Sequence, residues 1–190
     1  EGIHVRESGD PYHASFVHLD ALLRAEDVAD TSLMIQINCQ LGRDARYMGQ
    51  TDEAINWYSD ALELSESAYS GEEQDRHETF RLDVLSDLGA LMMVIDMDEN
   101  AMVLLSEALD AGRVAGDDWV TAENAFNMGY LHEKNGRTGE AERYYQAAIK
   151  HAAKSGNQAV TGRCHNRFGY MALAEGDWMK AEREFLSSYD

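Results

Sequence analysis

Residues 124–148 read NAFNMGYLHEKNGRTGEAERYYQAA, and the spacing of small and bulky side chains in this stretch decides the fold. Gly129 follows a large apolar residue, Ala141 stands twelve positions later, Tyr145 four after that and Ala148 three further on. An alanine four residues before an aromatic lies on the same helix face, where the small side chain admits a neighbouring helix and the large one fills the gap. The stretch therefore predicts two helices that cross closely at Gly129, joined by a short turn.

The same pattern occurs four times. The apolar–glycine pair recurs as Leu41-Gly42, Leu88-Gly89, Met128-Gly129 and Phe168-Gly169, and the small, bulky and small positions recur as Ala54, Tyr58, Ala61; Ala101, Leu105, Ala108; Ala141, Tyr145, Ala148; and Ala181, Phe185, Ser188. The last three copies are 40 residues apart, and the first lies 47 before the second, with the extra residues in the polar stretch 65–77. Ala14, His18 and Ala21 form a half-repeat upstream. Self-similarity at such a period is typical of stacked helical repeats.

Turn residues separate the two halves of each copy. Gly49, Gly136 and Gly176 suit the left-handed residue that ends a helix, and we expect Thr51, Asp98, Thr138 and Asp177 to cap the helix that follows. With a single proline in the chain, nothing interrupts long helices. The pattern predicts nine helices, near residues 10–26, 31–48, 51–68, 76–95, 98–115, 119–135, 138–155, 158–175 and 178–190.

The chain is strongly acidic, with 35 acidic against 16 basic residues and a net charge of −19. Such a surface repels phosphate backbones, so we expect no nucleic-acid partner. A solvated acidic exterior is the simplest interpretation, and a basic client or a salt-rich cytoplasm are the alternatives. Cys39 and Cys164 lack metal-ligand spacing and are typical of reduced thiols in a cytoplasmic protein. No apolar run approaches the ~18 residues of a membrane span, and a targeting segment upstream of Glu1 would not be visible.

The glycine, alanine and aromatic positions resemble those of the tetratricopeptide repeat. The chain departs from that family at the aromatic usually found three residues before the leucine, which is replaced by Asn38, Leu85, Ala125 and His165. It also lacks the closing proline, and its period is 40 rather than the more common ~34, which a longer second helix explains. The spacing is similar to a 40-residue subgroup found in polarity-complex adaptors, bacterial peptide-sensing regulators and sensor arrays of bacterial transcription activators.

The resemblance implies an all-α, right-handed superhelix (solenoid) of antiparallel helix hairpins. We expect one array over residues 1–190, cut from a longer protein, with a half-repeat at 10–26 and repeats at 35–68, 82–115, 122–155 and 162–190.

In the family, the first helix of each pair lines a concave groove that binds partners. Helical spacing then selects a set of inner residues of the types enriched at binding hot spots. They are Arg43, Arg46 and Tyr47 in the first repeat, Phe126, Asn127 and Tyr130 in the third, and Arg163, Asn166, Arg167 and Tyr170 in the fourth. Asparagines there can hydrogen-bond the backbone of an extended peptide.

The groove arginines allow two interpretations. Arg163 and Arg167 can grip an acidic side chain or carboxylate of the partner, or the arginines can pair with Asp83, Asp87, Glu123 or Glu133 across the groove. In chaperone-binding members of the family, five residues clamp a client's carboxyl terminus. Asn127, Arg163 and Arg167 match three of them, but Ser86 and Ala90 replace the other two, which argues against a chaperone-tail adaptor.

No constellation for catalysis or metal binding stands out. His13 and His18 do not share a helix face, and His132-Glu133 lacks the second histidine of a zinc-protease helix. We therefore expect core or interface histidines, no metal, no cofactor and no enzyme activity. The leading hypothesis is a scaffold that binds a protein or peptide segment. The alternative is a ligand- or peptide-sensing regulatory domain of a larger bacterial transcriptional regulator or signalling ATPase, and a third is self-association through the open ends of the array.

Overall fold

The computed structural model describes residues 11–67 and 74–189, with side chains for residues 12–66 and 79–189. Over these ranges the regular structure is helical, and nine helices follow one another: α1 (Pro11–Asp27), α2 (Thr31–Tyr47), α3 (Thr51–Ser67), α4 (Gln74–Val94), α5 (Asp98–Ala115), α6 (Asp118–Lys134), α7 (Thr138–Ser155), α8 (Gln158–Glu175) and α9 (Trp178–Ser187). Each lies within three residues of its predicted bounds, which confirms the all-α class. Part of the predicted insertion, residues 68–73, lies outside the described residues.

The chain divides into two compact units, residues 1–104 and 105–190. In the first unit α1 packs on α2, α2 on α3 and α3 on α4, and α2 also contacts α4. The second unit repeats this arrangement with α6, α7, α8 and α9, and α6 contacts α8. Contact between successive helices, and between the first helices of successive hairpins, is typical of stacked antiparallel hairpins. That the array is continuous over the whole chain stays a prediction.

Close helix crossings occur at the predicted glycines. A Cβ on Gly129 would lie 2.7 Å from the ring of Tyr145, and one on Gly42 would lie 2.7 Å from the ring of Tyr58. Gly169 meets Phe185 in the same way, at 2.5 Å. In each case the aromatic belongs to the second helix of the same hairpin. The glycine thus makes room for the ring that locks the two helices together.

The small and bulky positions form the core of each hairpin. Ala54, Tyr58 and Ala61 have no exposed surface, and neither do Ala141, Tyr145 and Ala148. In the first unit, Leu22, Ala25, Ile37 and Leu41 form a further buried cluster, which joins α1 to α2. The half-repeat is therefore held by the same kind of packing as the full ones.

The helix ends are only partly as predicted. Gly49, Gly136 and Gly176 have φ values of 75, 71 and 78°, which confirms the left-handed turn residues. Asp177 caps α9 by accepting a hydrogen bond from the amide of Lys180 at 3.0 Å. The cap predicted at Thr138 is wrong.

Thr138 is the first helical residue of α7, and Arg137 in the capping position makes no side-chain hydrogen bond. A capping residue needs non-helical backbone angles, and here Arg137, directly after the left-handed Gly136, already has the capping position. Thr51 and Asp98 are likewise the first residues of their helices. Side-chain caps occur at the starts of three other helices, α2, α6 and α8, where the capping residues are Asp30, Asp117 and Asn157.

Within the described residues, no helix combines the length and the apolar character needed to cross a membrane.

Candidate binding surface

In the first unit, the three predicted residues differ in how they are placed. Arg43 of α2 donates from Nε to Oδ2 of Asp87 on α4 at 2.5 Å, whereas Arg46 and Tyr47 are exposed, Tyr47 by 71%. Burial alone would lower the pKa of Arg43, but the Asp87 carboxylate raises it above its ordinary value. Arg43 is therefore a fixed cation, and its charge is matched by a neighbour.

In the second unit, the remaining seven predicted residues lie on two helices that contact each other. We call them the α6–α8 surface: Phe126, Asn127 and Tyr130 on α6, and Arg163, Asn166, Arg167 and Tyr170 on α8, of which Phe126 is buried rather than exposed. The structure thus brings together the residues that sequence spacing assigned to the third and fourth repeats. Their geometry shows what this surface offers to a ligand.

Arg163 is held by an acid and a ring. Its Nη2 donates to Oε2 of Glu123, and its guanidinium carbon lies 4.3 Å from the centroid of the Phe126 ring. The amide of Asn157 donates to the other oxygen of Glu123 at 3.0 Å, and the same Asn157 caps α8. Asn157, at the start of α8, therefore also helps to hold Glu123, the acid that pairs with Arg163.

Arg167 is more tightly constrained. Its Nε and Nη2 donate to the two carboxylate oxygens of Glu133 at 2.9 and 2.5 Å, a bidentate geometry that is among the strongest hydrogen-bonded pairs. The hydroxyl of Tyr145 donates to the same carboxylate at 2.7 Å. The hydrogen bonds with Glu133 raise the pKa of Arg167. Its guanidinium carbon lies 5.3 Å from the ring of Tyr130 and 5.6 Å from that of Tyr170, so the cation stays between two aromatic faces.

Of the two interpretations of the groove arginines, the structure has the paired one. Three ion pairs join first helices of successive repeats: Arg43–Asp87, Arg163–Glu123 and Arg167–Glu133. The later repeat supplies the acid in the first unit and the base in the second. Because each pair is neutral, a partner carboxylate at the α6–α8 surface would have to share a guanidinium with Glu123 or Glu133.

Two amides on this surface have no partner within the described part of the chain. The side chain of Asn127 is half-buried and that of Asn166 is exposed. Each can both donate and accept a hydrogen bond. Beside them, Tyr130 and Tyr170 are 36% and 51% exposed, and Tyr170 is steadied by an edge-on contact with Phe185 at 5.3 Å between centroids. The surface therefore combines free amides with rings whose orientation is fixed.

The contacts of His18, His165 and Cys164 indicate structural roles. His18, buried at 6% exposure, lies with Nδ1 2.6 Å from the buried carboxylate of Asp44, and His165 pairs with Glu184 at 2.8 Å rather than with Cys164. Burial raises the pKa of the Cys164 thiol to about 12, so at neutral pH it is not a thiolate nucleophile. Among the described side chains, no group of three or more histidine, cysteine or acidic residues could hold a metal ion.

Sequence reasoning missed the pairing of His18 with Asp44, because nothing in the spacing of residues 26 positions apart marks it. It also missed Phe80 on α4 and Val17 and Ala21 on α1, which line a cleft in the first unit. Phe80 comes shortly after the insertion in residues 65–77, which obscures how this part of the chain aligns with the other repeats.

Comparison with known proteins identifies two segments of the chain as members of a repeat family. The tetratricopeptide repeat family matches residues 35–67 and 122–154, which are the first and third repeats predicted from the spacing. Among curated proteins, none matches the sequence. Solved structures share the fold at low sequence identity.

BtubC (BKLC) from P. vanneervenii superposes with a TM-score of 0.80 at 22% identity, over 97% of this chain and 74% of that protein. MamA superposes with a TM-score of 0.67 at 16% identity, over 99% and 92% of the two chains. A Rap protein complexed with Competence and Sporulation Factor has a TM-score of 0.75 at 19% identity, and this chain covers 51% of it. Repeats of this kind generally form non-catalytic scaffolds for protein or peptide partners. Residues 35–67 and 122–154 thus match tetratricopeptide repeats, and the chain shares the fold of these solved structures.

Proposed function

We propose that the chain binds an extended segment of a partner protein along the α6–α8 surface. Asn127 and Asn166 hydrogen-bond the partner's backbone, and Tyr130 and Tyr170 contact its side chains. The observation that carries the proposal is the pair of unpartnered amides set among side chains that are already held in place. An extended segment presents unpaired N–H and C=O groups, and a primary amide can satisfy one of each.

The arginines of this surface act as a rigid frame. Arg167 uses two of its N–H donors on Glu133, so three of the five donors of its guanidinium are left for a ligand. Side chains that are already ordered lose little conformational freedom when a partner binds. Because both arginines are neutralised, the surface favours a segment recognised by its backbone and apolar side chains, and an acidic side chain is accepted only where a guanidinium is shared. In the first unit, the exposed Arg46 and Tyr47, with Arg43 beside them, offer further contacts.

A sensing role is the second candidate. The Rap protein with the same fold was solved in complex with Competence and Sporulation Factor, which supports a peptide as the signal that a domain of this shape would bind. A DNA-binding or ATPase domain next to this segment in the full-length protein would favour this role over a plain scaffold. Two buried free cysteines support a reducing, cytoplasmic location.

The binding proposal is tested with a library of displayed random twelve-residue peptides selected on the chain. Selected peptides are synthesised, and their affinities are measured for the wild type and for the double variant Asn127→Ala, Asn166→Ala. Loss of two hydrogen bonds of about 0.5–1.5 kcal/mol each predicts weakening of roughly 5- to 150-fold. Gln146→Ala, which removes an exposed amide on α7, is the matched control and should leave the affinities unchanged. Selected peptides that bind the double variant as well as the wild type would show that the surface is wrongly assigned.

The arginine frame has its own test. In the variant Glu123→Arg, Arg163→Glu the ion pair is restored with reversed polarity, at the cost of the hydrogen bond from Asn157 to Glu123 and the contact of Arg163 with Phe126. If partners are recognised mainly through backbone and rings, selected peptides should bind this variant within about threefold of the wild type, a difference under 1 kcal/mol. A loss as large as that of the asparagine variant would show that the charge of Arg163 itself selects the partner.

A further inference from the structure

We propose that a second copy of this chain docks on the outer face of α1, so that two molecules form a weak two-fold dimer through that helix. The face carries an apolar stripe, which consists of Tyr12, Phe16, Leu19 and Leu23. These side chains are 72, 70, 40 and 63% exposed, whereas Ala14, His18 and Leu22 are buried on the opposite face of the helix. The stripe lies outside the α6–α8 surface, and the dimer does not depend on the proposed function.

The corresponding outer positions of other hairpins are occupied mostly by polar residues. Ala14 of α1 matches Ala54 of α3 and Ala141 of α7 in the repeat. In this register the stripe positions become Asp52, Asn56, Ser59 and Glu63 in α3, and Gly139, Arg143, Gln146 and Lys150 in α7, all of them exposed. Both α3 and α7 pack against the helix before and the helix after them. These positions thus stay in solvent where the stack is complete, so the stripe is not a face on which a neighbouring repeat packs.

The exposed area of the stripe is large for a monomer and small for a stable dimer. A large aromatic side chain has about 150–250 Å² of surface, so the rings of Tyr12 and Phe16 together leave roughly 200–350 Å² in water. With the two leucines, the stripe reaches the roughly 300–600 Å² of the largest apolar patch on a typical monomer, which often marks an interaction site. A standard interface buries about 800 Å² of each partner. Pairing through this stripe therefore belongs to the weak, transient class.

The order of the side chains makes the stripe complementary to itself. Its spacings of four, three and four residues are those of a coiled-coil seam and are the same in either direction. When two copies of α1 run antiparallel, Tyr12 meets Leu23 of the second copy, and Phe16 meets Leu19 of the second copy. Each layer then contains one ring and one leucine, so the helices stay evenly spaced. A parallel pair would put ring on ring at one end and leucine on leucine at the other, and would splay the helices.

The charges beside the stripe favour the same orientation. Asp20 and Arg24 pair with each other at 2.7 Å and add no net charge. Glu26 and Asp27 are exposed at the C-terminal end of α1, where negative charge opposes the helix dipole. In an antiparallel pair these carboxylates lie beside the N-terminal end of α1 of the second copy, where the dipole favours them. In a parallel pair they would face the same carboxylates of the second copy.

The dimer is tested by sedimentation equilibrium of the whole chain, from about 10 μM to about 1 mM, at low and at high sodium chloride concentration. We expect a dissociation constant on the order of 100 μM, as for weak interfaces of this size. Two molecules of net charge −19 repel each other, so the dimer should tighten severalfold when salt screens the charges. A chain that stays monomeric throughout, or an association that weakens as salt is added, would overturn the proposal.

A pair of variants assigns the association to the stripe. Phe16→Gln, Leu19→Gln should weaken the dimer at least tenfold, because it removes the central layers of the interface. The matched control is Met179→Gln, Leu186→Gln, which removes two side chains that are 84 and 64% exposed at corresponding outer positions of α9. The control should dimerise as the wild type does, and circular dichroism shows that both variants are folded. If the control loses the dimer and the folded stripe variant keeps it, the stripe is not the interface.

Crosslinking tests the orientation and does not depend on the glutamine variants. Tyr12→Cys and Leu23→Cys are treated with a short bismaleimide, separately and as an equal mixture. Burial raises the pKa of the native Cys39 and Cys164 thiols to about 12, so they stay unreactive. We expect crosslinked dimers in the mixture and few in either variant alone. Crosslinks within each separate variant and none between the two would overturn the antiparallel arrangement.

The variant Asn127→Ala, Asn166→Ala separates this proposal from the binding of a peptide. It should dimerise like the wild type, and Phe16→Gln, Leu19→Gln should bind the selected peptides with wild-type affinity. Failure of the dimer and failure of the α6–α8 surface are therefore distinguishable.

Discussion

Replacing Gly129 with alanine tests the central feature of the fold, the close crossing of the two helices in a hairpin. The new Cβ would lie 2.7 Å from the Tyr145 ring and 3.3 Å from the carbonyl oxygen of Ala141. The first distance is about 0.8 Å short of the ~3.5 Å at which two carbon atoms make a favourable contact. Either the ring or the whole of α7 must therefore move.

The Tyr145 ring has little freedom to move. It is fully buried, lies 5.6 Å from the Phe126 ring and 5.7 Å from the Phe168 ring, and donates its hydroxyl hydrogen to Glu133. Overpacking of such a site costs about 1–3 kcal/mol. Alanine regains roughly 0.5–1 kcal/mol because it favours a helix more than glycine does. We expect a net loss of about 1–2 kcal/mol in the free energy of unfolding of the second unit.

The assay is urea unfolding followed by circular dichroism at constant pH, with Gly139→Ala as the matched control. Gly139 lies in the first turn of α7, and a Cβ there would meet no atom within 4 Å. The control should be as stable as the wild type or more stable by up to about 1 kcal/mol, because only the helix propensity changes. If Gly129→Ala behaves like Gly139→Ala, the reasoning about the crossing is refuted.

Two further predictions concern charges. A double-mutant cycle with Glu133→Gln and Arg167→Gln should give a coupling energy of about 1 kcal/mol in urea unfolding, because the bidentate pair is partly shielded from solvent; a coupling near zero would mean that the pair does not hold α6 to α8. His132 is stacked on Tyr144 at 5.0 Å, and burial, with a smaller effect of Arg137, lowers its pKa. The unfolded chain then binds this proton near pH 6.5 while the folded chain resists it, so stability present above that pH is lost as the pH falls. His132→Phe keeps the ring contact and should lose less stability between pH 7.5 and 5.5, measured by urea midpoints; an equal loss would contradict the assignment to His132.

The hairpins could be predicted because their contacts are local and depend on side-chain size. Gly129 and Tyr145 are sixteen residues apart, on two helices whose pairing is forced by a short turn, and only one arrangement buries the ring against the glycine. The seven residues of the α6–α8 surface could also be assigned to one face, since first helices of successive repeats must lie side by side. Periodicity was less informative at the caps, because the start of a helix depends on a single backbone conformation.

The spacing of residues could not predict which acidic residue each arginine pairs with. Arg163 and Glu123 occupy the same position one period apart, but Arg167 meets Glu133 and Arg43 meets Asp87 across different positions, at separations of 34 and 44 residues. Long side chains of one charge can reach several carboxylates, and the choice among them depends on side-chain conformation and on which rings lie nearby. The same holds for His18, whose partner is settled by the packing of α1 on α2.

The sequence by itself determined that this chain is a series of helix hairpins with glycine-to-ring crossings, because side-chain volume repeated at a constant interval leaves one way to bury the apolar faces. Only the tertiary structure decided that Arg43, Arg163 and Arg167 are neutralised, that Asn127 and Asn166 are left open, and that His18 lies against the buried carboxylate of Asp44. The physical reason is that packing of volumes is set by the neighbouring hairpin helix, whereas the pairing of charges and hydrogen bonds is chosen among several near-equal partners once the helices are in place.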